Sequence, residues 1–120
     1  MNYKEVAKRA SGNWLMDGRE KITTDDVLLK YPEGITIIGF DVIETADGGY
    51  PVFIFAEDIS KYLNGGSQAM RIAESWINSA ENPDPEAMSA EMKAQGGVKV
   101  KLSRGKTSKG KTFIAWTVID

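Results

Sequence analysis

Gly34-Ile35-Thr36-Ile37-Ile38-Gly39-Phe40-Asp41-Val42-Ile43-Glu44 is the longest apolar run in the chain, and its richness in β-branched residues marks a strand. Its alternation changes phase in the middle. Ile35 and Ile37 share one parity and Phe40 and Val42 the other, with Gly39 between them. A bulge at the glycine inserts one residue, restores all four side chains to one buried face and bends the strand. A long, bent first strand is what a small barrel needs to pair with both halves of its sheet. The competing reading is a straight central strand buried on both faces.

Outward from this strand the elements follow in a definite order. Ala46-Asp47-Gly48-Gly49 supplies the residues that tolerate positive φ in a hairpin turn, and Tyr50 to Ala56 returns as a second strand. Ile59 to Leu63 makes a short third strand, with a helical turn as the alternative. Ser67 is a candidate N-cap for a helix with Ala69, Met70, Ala73, Trp76, Ile77 and Ala80 on one face. Asn82-Pro83-Asp84-Pro85 stops it and starts another, with Asp84 as N-cap, Pro85 in the first turn and Gly96 at the C-terminal end. Met88 and Met92, one turn apart, are read as packing on the neighbouring helix. Upstream, Asn2 to Ala10 has a helical pattern, and Trp14-Leu15-Met16 forms an apolar anchor before the Asp17-Gly18 turn. Thr23 or Thr24 caps a short helix through Val27, Leu28 and Leu29, which Pro32 ends. Asp25 and Asp26 sit in its first turn, where the helix dipole accounts for them better than a metal does.

The last stretch carries the charge. Val98, Lys99, Val100, Lys101 and Leu102 alternate strictly, a loop with Gly105 and Gly110 follows, and Thr112 to Ile119 is a second β-rich run. Residues 1–96 hold 9 basic and 16 acidic side chains, a balance of −7, whereas residues 97–119 hold six basic and no acidic ones. The six are Lys99, Lys101, Arg104, Lys106, Lys109 and Lys111. Phe113 and Trp116 point to opposite faces of an uninterrupted strand, so one of them shares the face of Lys99 and Lys101. If the loop is centred on Thr107, that residue is Phe113. Lysines interleaved with an aromatic suit single-stranded nucleic acid, the charges tracking phosphates and the ring stacking on bases. The loop then acts as a mobile finger over the strand, with Thr107 and Ser108 adding phosphate hydrogen bonds. The bland alternative is a solubilising sheet face whose lysines guard against edge pairing.

Composition narrows the remaining classes. The chain of 120 residues, 42% hydrophobic, suits one domain with one core. It has neither Cys nor His, which removes disulfides, thiolate metal sites and Ser-His or Cys-His catalysis, and no cofactor or metal is expected. No apolar run approaches the ~20 residues of a membrane span, so the expectation is a soluble protein of the cytoplasm.

With the N-terminal helices set aside, the order is strand, strand, short strand, helices, strand, strand. That is the element order of an OB-fold, and the expected class is mainly β with α (α+β): a five-stranded barrel over residues 34–120. Its helical insertion, residues 67–95, falls between the third and fourth strands, and residues 1–33 form a helical extension. The stretches at 25–41 (DDVLLKYPEGITIIGFD), 49–58 (GYPVFIFAED) and 97–102 (GVKVKL) resemble small proteins of bacterial phages and conjugative elements. Some of that group are thought to be OB-like single-stranded DNA-binding proteins. The charge split and the lysine/aromatic hairpin point to a non-catalytic, largely sequence-independent binder of single-stranded DNA, and the resemblance implies a setting in phage or mobile-element replication or recombination. RNA is not excluded as its ligand; homo-oligomerisation and contact with a host or phage replication protein are compatible with it. Many single-strand binders carry an acidic tail, whereas this sequence ends on strand residues. The alternatives are a protein-interaction module working through the acidic surface and the Trp14 segment, and a metal-dependent phosphodiesterase using Glu57 and Asp58.

Overall fold

A computed structural model describes residues 13–46, 48–81 and 83–119 of the chain. The helix expected over Asn2–Ala10 lies outside them. The elements are α1 (Asn13–Met16), β1 (Glu20–Ile22), α2 (Thr24–Lys30), β2 (Ile35–Thr45), β3 (Gly48–Phe55), β4 (Lys61–Asn64), α3 (Ser67–Ser79), α4 (Pro85–Ala94), β5 (Val98–Lys106) and β6 (Thr112–Val118). The strands form one curled, half-barrel sheet in the order β1-β4-β3-β2-β5-β6, and the class is mixed α+β.

β2 is the centre of this sheet, and it is bulged as its phase change predicts. Ile37 pairs with Phe55 and Gly39 with Ile54, so Ile38 is the extra residue. Ile35, Ile37 and Phe40 consequently lie in one buried cluster with Phe53, Phe55, Leu63, Val100 and Leu102, and Val42 packs against it. A Cβ at Gly39 would sit 2.8 Å from Ile54 Cγ1, so the bulge position needs glycine for space. The bulge turns Phe40 N–H away from the ladder, and Ser89 of α4 accepts it at 3.0 Å. The Ser89 hydroxyl in turn donates to Pro85 O at 2.6 Å.

The competing reading also holds in part, because the other face of β2 is covered too. Ile38 and Ile43 join Val52, Ile54 and Leu15 in a second cluster, with Trp14, Met16, Tyr50 and Tyr62 packed around it. Trp14 donates its indole N–H to Asp41 Oδ2 at 2.6 Å, so the expected anchor is real and has a polar hold. Burying a side chain such as Leu15 stabilises this attachment by roughly 1.5 to 3 kcal/mol. Asp41 is only 5% exposed. Burial pushes its carboxyl above the ordinary carboxylate range, and the N–H groups of Trp14 and Val42 partly offset this.

Local signals account for most helix ends. Thr23 caps α2, accepting Asp26 N–H at 3.1 Å, and Lys30 is the last helical residue before the Tyr31-Pro32 stop. α4 closes with Gly96 at φ +95, Gly96 N–H bonding Lys93 O and Gly97 N–H bonding Met92 O, the paired bonds of a Schellman ending. α3 differs from expectation: Gly66 is its N-cap and Ser67 its first helical residue. Trp76 belongs to the core, its ring 5.0 Å from that of Phe40.

The sequence order predicts five strands, and the described residues form six. β1 pairs in parallel with β4, Glu20 beside Lys61 and Ile22 beside Leu63. Ile22 is its one buried residue, and Lys61 Nζ meets Glu20 Oε2 at 2.6 Å across the pair. The edges of the sheet are therefore β1 and β6, and β6 pairs with β5 alone among the described strands.

Candidate nucleic-acid interface

The β5–β6 hairpin is built by alternation. Val98, Val100 and Leu102 face the core, and β5 joins β2 over three pairs, Ile35 with Val100, Thr36 with Lys99 and Ile37 with Val98. Beyond Val100 the hairpin pairs with itself: Lys101 with Thr117, Leu102 with Trp116, Arg104 with Ile114 and Gly105 with Phe113. The turn is centred on Lys109 rather than Thr107, because Lys106 pairs with Thr112. A displacement by an even number of pairing positions preserves parity. Trp116 thus turns inward, 7% exposed, with its ring 5.0 Å from that of Phe53. Phe113 shares the outward face with Lys99 and Lys101, together with Ser103, Ala115 and Thr117.

Phe113 is 36% exposed. Its ring lies over Gly105, where an added Cβ would come within 2.6 Å of Cζ. A cross-strand glycine therefore gives the aromatic a flat seat on the surface. Lys99, Lys101, Lys106, Lys109 and Lys111 are all exposed, and none has an ion-pair partner among the described residues. Arg104 is the exception. It has the inward parity and its Nη2 reaches Asp25 Oδ1 on α2 at 2.7 Å. The acidic first turn of α2 thus serves as a tether as well as a helix start.

The loop is tighter than a free finger. Thr107 N–H bonds Lys111 O at 2.8 Å, Gly110 N–H bonds Thr107 O at 2.9 Å, and Gly110 takes φ +82. The Thr107 hydroxyl accepts Lys111 N–H at 3.2 Å. Lys106, Lys109 and Lys111 therefore project from a closed turn.

No protein family matches this sequence, no curated protein is similar to it, and no solved structure matches it.

The structure gives the other candidates local roles. Glu57 accepts Thr36 N–H at 2.7 Å and the Thr36 hydroxyl at 3.0 Å, while Asp58 accepts Ser60 N–H at 3.1 Å. Among the described residues there is no cluster of three or more acidic groups placed to hold a metal. No helix of the described residues is long and apolar enough to cross a membrane. Beside Phe113, the free edge of β6 faces the β4–α3 junction across a cleft that no sequence pattern announces, since its walls come from residues about fifty positions apart.

Proposed function

We propose that this protein is a non-catalytic binder of single-stranded DNA, largely indifferent to sequence, that holds the strand on the outward face of the β5–β6 hairpin. The observation that carries this reading is one surface on which Lys99, Lys101 and the exposed ring of Phe113 stand together, with no carboxylate partner for either lysine among the described residues. Phosphates neutralise the ammonium groups, and an unpaired base stacks on the ring, a contact worth roughly 1 to 3 kcal/mol. A duplex buries its base faces and offers the ring nothing. Lys106, Lys109 and Lys111 extend the same positive surface around the turn, and Ser103 and Thr117 add hydroxyl donors for phosphate oxygens.

The chain path favours the same reading. β2 pairs with both β3 and β5, and the helices fall between β4 and β5, as in an OB-like barrel. In that architecture the β5–β6 turn takes the position of a loop used for oligonucleotides. The proposed setting is the bacterial cytoplasm during replication or recombination of a phage or conjugative element, which rests on the resemblance at residues 25–41, 49–58 and 97–102. RNA is accommodated by the same surface, because phosphate and base-face contacts make no use of the 2′-hydroxyl. The test is fluorescence anisotropy of a labelled single-stranded oligonucleotide with folded protein at micromolar concentration and low salt. Binding that a duplex of the same length competes poorly is expected; no binding refutes the proposal.

A further inference from the structure

The seam of the half-barrel, between the free edge of β6 and the β4–α3 junction, opens into a cleft of about 360 Å³. Phe113, Ile114 and Trp116 line one side, and Asn64, Ser67 and Gln68 the other. We propose that this cleft is a nucleobase subsite, which takes one base turned out of the strand held by the lysine face. The inference rests on the single-strand reading above.

Position is the first argument. Phe113 belongs to both surfaces, so a strand whose phosphates meet Lys99 and Lys101 passes the mouth of the cleft. Wall chemistry is the second. None of the residues lining the cleft is charged, and they place aromatic and aliphatic surface against two carboxamides and the hydroxyls of Thr24 and Ser67. A nucleobase has the matching form, flat and apolar on its faces with hydrogen-bonding groups around its rim. An ionic ligand would find no charged side chain there. The third argument is an unmet acceptor. Asn64 Oδ1 is closed to solvent and receives no hydrogen bond, alone in this among the buried side-chain polar atoms of the described residues. Buried polar groups are ordinarily paired, and an exception calls for a cause. Once the Asn64 side chain rotates into the cleft, the pairing-edge N–H that every natural base carries satisfies this oxygen without being selected by it. Turning the amide over exchanges an acceptor for a donor and leaves the capacity intact, because bases carry both.

The test compares two labelled oligomers of equal length and phosphate count, one of thymidylate and one abasic, by anisotropy at low salt. The intact chain is expected to bind the base-bearing strand about tenfold more tightly, within the roughly five- to 150-fold that one stacked base supplies. Asn64→Ala is expected to cut that ratio to about threefold or less, while leaving affinity for the abasic strand unchanged and raising the melting midpoint, since an unpaired buried acceptor is gone. Gln68→Ala, on the rim, reports the same ratio should Asn64→Ala fold poorly. Equal affinity of the intact chain for both oligomers overturns the subsite and the stack on Phe113 together, leaving phosphate binding by the lysines. A ratio untouched by both substitutions, or an Asn64→Ala protein that melts lower and binds both strands less, assigns Asn64 to structure and overturns it too. Failure to bind either oligomer is a separate result that removes the single-strand reading itself.

Discussion

The lysine face makes a graded prediction about salt. Five lysines of the hairpin are exposed without an ion-pair partner among the described residues, and a sixth cation, Arg104, is held by Asp25 at 2.7 Å. On a single strand each neutralised phosphate contributes about −0.7 to the slope of log affinity against log salt, so five free lysines give a slope near −3.5. A fourfold rise in salt then weakens binding about 130-fold. The double substitution Lys99→Gln and Lys101→Gln leaves three free lysines, a slope near −2.1 and about an 18-fold loss over the same range. Asp25→Asn works the other way. It frees Arg104 for phosphate, steepens the slope to about −4.2 and tightens binding at low salt, although it removes a carboxylate from the protein. None of the substituted side chains is buried, so the lysine changes are expected to alter stability by no more than about 0.5 kcal/mol. Losing the exposed Asp25–Arg104 pair is worth about 0 to 1 kcal/mol. Anisotropy titrations of one oligonucleotide at four or five salt concentrations give all three slopes. The order Asp25→Asn, intact protein, double glutamine is the content of the prediction. Equal slopes would show that the cations binding nucleic acid lie elsewhere, and a weaker Asp25→Asn protein would show that the tether positions Arg104 for its ligand.

Two further predictions concern the fold. Ser89→Ala leaves Phe40 N–H buried at the bulge without its acceptor, and the expected loss of about 1 to 3 kcal/mol appears as a lower urea midpoint; a change under about 0.5 kcal/mol would show that the bulge finds another partner. Asp41 has a raised folded-state pKa relative to its ordinary 3.8. The stability of its neutral form is therefore fully present below that ordinary value and is lost as pH rises through the raised one. The stability difference between the intact protein and Asp41→Asn should fall as pH is raised from 4 to 7, measured by urea midpoints, and a difference that grows with pH contradicts the assignment.

The sequence is most legible where a local rule has a single structural solution. The parity break around Gly39 is read either as a bulge or as a strand covered on both faces, and the structure has the bulge and a second covered face. The Thr23 cap, the Pro32 stop and the Gly96 ending are similarly short-range, each depending on groups within a few residues. β1 was not legible because Glu20-Lys21-Ile22 has one buried side chain and no flanking pattern; it is a strand because β4 offers it an edge. The centre of the hairpin was also misplaced, since its loop offers glycines at both 105 and 110. The register depends on Phe113 covering Gly105 and Trp116 meeting Phe53. At the site, parity puts the lysines on one face with either Phe113 or Trp116, and the hairpin's register decides between them; the Arg104–Asp25 tether and the cleft join distant segments and are visible only in three dimensions.

β1 has a consequence that reaches the site. β4 has two hydrogen-bonding edges, and β3 and β1 occupy them, so β6 has no place to close the sheet. The seam stays open for that reason, and the hairpin joins the rest of the sheet through only three residue pairs of β5 with β2. From Ser103 to Ala115 the two strands pair only with each other. An isolated two-stranded hairpin is marginal in water. Here it is supported by Phe113 over Gly105, by the Thr107–Lys111 closure and by the Arg104–Asp25 tether. The first two are internal to the hairpin, whereas the third, together with Ile114 packed against the core, fastens its outer half to the rest of the molecule. On the proposed reading, a phosphate that takes Arg104 from Asp25 leaves the hairpin intact and still held at Ile114. The expected consequence is a looser loop end, while Ile114 and Trp116 keep the base of the hairpin on the core.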